Sequence, residues 1–209
     1  MKHHNDCRFC NILNGEKYYG KIDRPFIETD NFFAISTIGA LVEGWVLIIP
    51  KKHEYSMQTH YSNDELLNLV YNIERKLYNR YKKSVILFEH GANACGSLTS
   101  CGTDHAHLHL VPLGDTLLDA MQKDMAWELC DIRSINNVVN SQEYLFYCEF
   151  PAGNSKIMDG YINILNEPIS QYFRKLIAEK VGIPEQYNYK EFPNIEIALK
   201  THNTLSQAV

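Results

Sequence analysis

Three histidines occupy alternate positions in the run His-Ala-His-Leu-His-Leu-Val-Pro, residues 105–112. Read as a strand, the run puts His105, His107 and His109 on one face and Ala106, Leu108 and Leu110 on the other. Successive imidazoles then stand roughly 6.6 Å apart. Burying three of them costs free energy unless each ring nitrogen finds a partner. A polyanion, a metal, or both together would supply those partners. Three histidines on one ion is the poorer arrangement, because same-face strand neighbours are too far apart to share it. The alternative is a partly exposed strand with incidental histidines, and the preceding loop argues against that.

The loop, residues 91–104, is small, hydroxyl-rich and glycine-bearing. Ser97, Thr99, Ser100, Gly102 and Thr103 can turn hydroxyls and backbone N–H groups inward around phosphate oxygens. Alone, such a stretch reads as a flexible hairpin loop. Between two strands and beside three histidines, it reads as a phosphate cradle. A second constellation opens the chain at Cys7-x-x-Cys10. That pair is half of a metal site, a redox dithiol or an incidental spacing. The redox reading needs a strand before the pair, and nothing structured is expected there. Two thiolates alone do not complete a tetrahedral zinc site. His53 is the first candidate to complete it.

The elements that must position these groups follow from periodicity. Asn11 to Gly15 reads as one helical turn ending at a glycine. Residues 26–29 and 32–36 form two extended runs joined by the turn-forming Asp30-Asn31. Gly39 and Gly44 bracket a loop before the apolar run 45–50, which has the continuity of a strand buried on both faces. Ser62 followed by Glu65 has the capping-box spacing, and Leu66, Val70, Ile73, Leu77 and Tyr81 recur at helical period, predicting one helix over about 62–82. Residues 85–89 form another buried strand. Beyond Pro112 the spacing predicts a helix over 115–129, a strand over 144–150, a turn at 151–154 and a helix over 168–181. The last segment, 187–209, is aromatic at first and then polar.

Composition bounds the class. The 209 residues suit one domain with an elaboration, and 45% hydrophobic with 22% charged residues is ordinary for a soluble protein. A formal charge of −5 offers no basic footprint for a nucleic-acid backbone, though a local nucleotide pocket is compatible with it. No apolar run is long enough to span a membrane, and the polar start lacks the apolar core of a signal peptide. Six cysteines then read as reduced thiols or metal ligands, and the expected location is cytoplasmic.

Taken together, these features resemble the histidine triad (HIT) superfamily of nucleotide-binding hydrolases and transferases. The resemblance is carried by Cys7-x-x-Cys10, the 30–35 hairpin, Val-Leu-Ile-Ile-Pro-Lys-Lys-His over 46–53, the helix and His105-x-His107-x-His109. It implies an α+β fold with an antiparallel sheet of about five strands and a long helix in residues 1–114. Residues 115–209 would be a C-terminal α/β extension packed on that core, similar to those of some larger bacterial or phage-like relatives. The resemblance also implies that His107 is the nucleophile that attacks an α-phosphorus, forming a covalent nucleotidyl-histidine. His109 would hydrogen-bond a phosphoryl oxygen. Zinc-bearing relatives use the positions of Cys7, Cys10, His53 and His105, a full set of four and hence a structural site.

Three departures stand out. Gly44-Trp45 replaces the usual Gly-His, Ser100 to Asp104 replaces the Gly-Gln-Ser/Thr-Val run, and Glu89-His90-Gly91 replaces an Asn-x-Gly. The activity implied is hydrolysis or transfer at the α-phosphate of a dinucleoside polyphosphate or similar conjugate. A non-catalytic nucleotide-binding or sensing module is the competing reading, favoured by the altered loop and Trp45. RNA-end processing is a third, opposed by the acidic balance. Short relatives are commonly homodimers, and the extension would either cover or replace that interface.

Overall fold

The computed structural model describes residues 7–151 and 159–207. The polar start and the expected 151–154 turn beyond Pro151 lie outside the described residues. Five strands come from the first half: β1 (Ile27–Glu28), β2 (Phe32–Ser36), β3 (Val46–Pro50), β4 (Val85–Gly91) and β5 (Leu108–Val111). Three more follow: β6 (Glu128–Asp131), β7 (Tyr144–Phe150) and β8 (Asp159–Ile164). All eight form one sheet in the order β1-β2-β3-β5-β4-β7-β8-β6, every neighbouring pair antiparallel. The α+β, HIT-like architecture is as expected, and the sheet is wider than five strands because β7 pairs along all of β4.

Both faces of the sheet are covered, which is why β2 and β3 read as unbroken apolar runs. Helix α2 (Asp64–Tyr81) lays Leu66, Val70, Ile73 and Leu77 on one face, against Phe32, Val46, Ile48, Leu87, Leu108 and Phe146. The other face carries two separate apolar patches. One is Phe33, Ile35, Leu47 and Ile49 under α1 (Arg8–Leu13). The second is Ile86, Phe88, Leu145 and Tyr147 under α3 (Leu118–Asp124) and α5 (Tyr172–Lys180).

Several expectations are corrected by tertiary context. The helix begins on Asn63, whose side chain accepts the Glu65 N–H at 2.8 Å, and not on Ser62. Glu65 cannot complete a capping box because its carboxylate is taken by the β1–β2 turn, accepting from Asn31 N at 2.8 Å and Asn31 Nδ2 at 2.6 Å. The histidine strand starts only at Leu108, so His105 and His107 lie in the segment leading into it. The expected 115–129 helix is shorter. Met125 is extended, the Trp127 indole donates to Met121 O at 3.0 Å, and 128–131 finds a ladder partner in β8. Leu129 therefore points outward, 68% exposed, instead of into a core. The 168–181 helix forms over Tyr172–Lys180. Helix α6 (Ile195–Ser206) fills part of the last segment, which reads as aromatic at first and then polar and to which no element was assigned. Its buried stripe is Ala198, Thr201, His202 and Leu205, only half apolar, so hydrophobic period hid it. Strand β8 was hidden partly by Gly160, where a Cβ would meet the Phe146 ring at 2.6 Å.

One buried carboxylate joins the layers. Glu89 on β4 accepts hydrogen bonds from Met57 N, Tyr61 Oη and Tyr144 Oη, each at 2.6 Å. It thereby ties the segment before α2 to β4 and β7. Burial pushes its carboxyl up to about 7, although all three hydrogen bonds pull the other way. A carboxyl raised from its ordinary 4.5 keeps its proton longer folded than unfolded. Its contribution is then fully present below about 4.5 and is lost as pH rises through about 7. Chemical denaturation across pH 4.5–7 should show stability falling by up to about 3 kcal/mol from this group, at about 1.4 kcal/mol per unit. The Glu89→Gln variant should lose that slope. An equal slope in the variant would assign the dependence to other groups.

Candidate active site and metal cluster

The end of β3 and the start of β5 bring the two constellations together. Ala106 N donates to Glu54 O at 2.6 Å, which fixes the His53 segment beside the histidine run. Helix α1 packs its Phe9 against the same place, edge-on at 5.6 Å to both the His105 and His107 rings. Cys7 and Cys10, one at the cap of α1 and one within it, thus face His53 and His105.

The four side chains could hold a metal ion, since one ligand atom from each lies within 4.8 Å of all the others. Cys7 Sγ is 3.3 Å from His105 Nδ1, Cys10 Sγ is 3.3 Å from His53 Nδ1, and Cys10 Sγ is 3.6 Å from His105 Nδ1. Ligand bonds of about 2.0–2.3 Å in a tetrahedron give edges of about 3.3–3.8 Å, so the set fits an ion of zinc's size. His105 Nε2 lies 2.9 Å from Pro50 O and so carries the proton, which leaves the Nδ1 lone pair toward the thiols. Burial, with Cys7 beside it, pushes the Cys10 thiol up to about 12. Burial likewise pulls His105 down to about 4, keeping it a neutral donor.

His107 and His109 lie on the sheet face between the two apolar patches, with ring centroids 4.8 Å apart. His107 Nδ1 is 2.8 Å from His105 O. A carbonyl only accepts, so the proton is on Nδ1 and the Nε2 lone pair is left for the cavity. Burial holds this imidazole below its ordinary pKa. His109 stands in register between Leu47 of β3 and Phe88 of β4, stacked on Phe88 at 4.4 Å. Its Nδ1 accepts from the Trp45 indole Nε1 at 3.0 Å. Indole only donates, so His109 carries its proton on Nε2 and is a neutral donor. An imidazolium there would set N–H against N–H, and burial also holds its pKa well below the ordinary value.

A cavity of about 220 Å³ opens onto these two rings. Ser100 and Thr103 of the expected cradle lie in its wall. Ser97, Thr99 and Gly102 are not among its wall residues. The Thr99 hydroxyl is buried and donates to Glu143 at 2.6 Å. Ser97 Oγ accepts from Thr99 N at 3.0 Å, and Ser100 Oγ reaches Ser97 O at 2.8 Å and Asp104 Oδ1 at 2.9 Å. Much of the loop's polarity is spent on holding its own shape. Among the wall or supporting residues that sequence reasoning missed are Trp45, His90, Arg174 and Tyr189. Trp45 and His90 were visible only as departures from a motif; Arg174 lies in the run 170–177, which resembles the extensions of larger relatives but carried no assigned role, and Tyr189 lies beyond it.

The Trp45 bond can be tested directly. In Trp45→Phe the ring is kept and the N–H lost, so His109 should populate both neutral tautomers and its pKa should rise toward the ordinary range. Long-range ¹H–¹⁵N spectra of the imidazoles read both quantities. An unchanged Nε2–H signature in the variant would show that the indole does not set the tautomer.

No family model matches the chain. Among solved structures it is similar to a Streptococcus mutans protein, 27% identical, with 53% of this chain and 67% of that one covered and a TM-score of 0.41. A HIT family hydrolase from Clostridium thermocellum is 22% identical over 55% of this chain and 94% of its own, with a TM-score of 0.36. A Hit-like protein of Bartonella henselae involved in cell-cycle regulation is 20% identical over 53% and 77%, at a TM-score of 0.37. On its own strand order, its long helix and the His105-x-His107-x-His109 run at the start of β5, the chain is an α+β protein whose antiparallel sheet continues into its C-terminal half.

Proposed function

We propose that the protein hydrolyses or transfers a nucleoside monophosphate from a nucleotide conjugate of the dinucleoside polyphosphate kind, through a covalent nucleotidyl-His107. The observation that carries this reading is the His107 Nδ1 bond to His105 O, which presents an unprotonated Nε2 to the cavity. A neutral imidazole is a competent nucleophile near pH 7, and dividing the displacement into two steps lowers each barrier. His109, as an Nε2–H donor, would stabilise charge building on the phosphoryl oxygens. Ser100 and Thr103 line the same cavity and are the cradle residues best placed to meet phosphate. Residues 1–114 would be the nucleotide-handling unit and 115–209 the extension packed on it. No described helix is long and apolar enough to cross a membrane.

The metal we infer at Cys7, Cys10, His53 and His105 is zinc, as a structural cross-link between α1, the segment after β3 and the triad. Protein purified without added metal should contain about one zinc per chain by elemental analysis. Cys10→Ser should lose the metal and lower the unfolding temperature. Zinc retained in that variant would place it elsewhere.

His107→Ala should abolish turnover of a dinucleoside polyphosphate while leaving the fold intact and nucleotide affinity within a few-fold. Wild-type protein quenched during turnover should carry a nucleotidyl adduct on His107 by mass spectrometry. Near-normal turnover in His107→Ala overturns covalent catalysis at this residue. Tight nucleotide binding with no turnover of any conjugate would instead favour the binding-module reading.

A further inference from the structure

The cavity contains two arginines with opposite electrostatic situations. Arg8 is neutralised by Asp23, to which it donates through Nε at 3.1 Å and again through Nη2. Arg174, on α5, is 5% exposed and no carboxylate among the described residues pairs with it. Its Nε donates to Tyr187 O at 2.7 Å and its Nη2 to Gly39 O. The guanidinium lies 5.1 Å from the Trp45 ring centroid and 5.8 Å from that of Tyr189. Carbonyl dipoles and two aromatic faces offset part of the cost of burying the charge. They do not cancel it, and Arg174 lies in the cavity wall. Burial pulls Arg174 down to about 10, so at neutral pH it stays a cation.

A second group at the same end also lacks a partner. The His90 ring lies 6.4 Å from His109 and 5.2 Å from Phe173 by centroids. Its Nε2 is buried with no hydrogen-bond partner among the described residues. Buried polar groups are normally satisfied, so an unpaired cation and an unpaired ring nitrogen side by side mark a place for a ligand. By ring centroids His109 lies 4.8 Å from His107 and 6.4 Å from His90, and Arg174 lines the same cavity as all three.

We propose that Arg174, with His90, forms a second anion subsite beyond His109 that holds the phosphate leaving group, making the substrate a phosphoanhydride and not a conjugate with an uncharged leaving group. The inference rests on the nucleotide reading above. In the first step the His107 Nε2–phosphorus bond forms and the phosphorus–bridging-oxygen bond breaks. The electron pair leaves with that oxygen as a phosphate anion, whose charge Arg174 meets. Water then forms an oxygen–phosphorus bond, the nitrogen–phosphorus bond breaks, and one proton goes to solvent. A phosphate anion departs without taking a proton. An amine would need one, and His109, held by Trp45 as a neutral Nε2–H donor, is not built to supply it.

The test is equilibrium titration of the full metal-loaded chain with AMP, ADP, GMP and GDP. For at least one base, wild type should bind the diphosphate about tenfold or more tighter than the monophosphate. Arg174→Gln should bring that ratio to within about twofold, with monophosphate affinity changed by less than about threefold. Arg174→Lys should restore part of the ratio, and His90→Ala should lower it with the arginine intact, which guards against a variant that simply misfolds. A purely structural arginine would weaken both ligands alike. Equal binding of mono- and diphosphate by wild type, or parallel losses in Arg174→Gln, overturns the inference and leaves the nucleotide reading standing. If wild type binds none of the four, the nucleotide reading falls and this inference with it.

Discussion

The site depends on strand alternation in a sheet that is buried on both faces. β5 lies between β3 and β4, and His109 is held in register by Leu47 on one side and Phe88 on the other. A slip of one residue would drive His109 into the α2 core and turn Leu108 or Leu110 toward the cavity. The aliphatic partners of Leu108 and Leu110 on α2 make that slip costly, so hydrophobic packing on one face fixes the chemistry on the other. The same register leaves the polar row between two apolar patches, where a cavity walled in part by α1 and α5 opens onto it.

Within that gap the imidazoles are arranged as directed neutral dipoles. Each of His105, His107 and His109 has one nitrogen committed to a protein group of a single hydrogen-bonding sense: two carbonyls and one indole. The commitments alternate. His105 and His107 donate to oxygen and offer a lone pair outward, whereas His109 receives a hydrogen and offers a donor. On the proposed reading, a metal ligand, a nucleophile and an anion stabiliser would follow from three copies of one side chain, distinguished by what touches the far nitrogen. Trp45 thereby fixes which nitrogen of His109 carries the proton.

Much of this was legible in the sequence, and what was not has physical causes. Apolar continuity disclosed β3 and β4, and the 3.6-residue period disclosed α2, because each buries enough side chains for its pattern to dominate. Spacing alone left the Cys7/Cys10 pair open between metal, redox and incidental readings, and the full set with His53 and His105 came only from the family resemblance. The C-terminal half was read less well. β6 owes its extended form to a ladder partner in β8 and not to its own residues, and α6 buries threonine and histidine along with alanine and leucine. Arg174 was unreadable for a related reason. An arginine on an amphipathic helix reads as solvated, and only the fold shows it beneath Trp45 and Tyr189.

β4 is seven residues long and hydrogen-bonded on both sides, to β5 and to β7. With β7, β8 and β6 added, the sheet ends at the two-residue β1 and the four-residue β6. Short terminal strands offer few unpaired backbone groups to another chain. A protein cut after residue 114 would expose the whole outer row of β4, flanked by apolar side chains that β7 now covers, and would be prone to sticking to its own kind. The C-terminal half thus supplies the strand that closes the β4 edge of the N-terminal half.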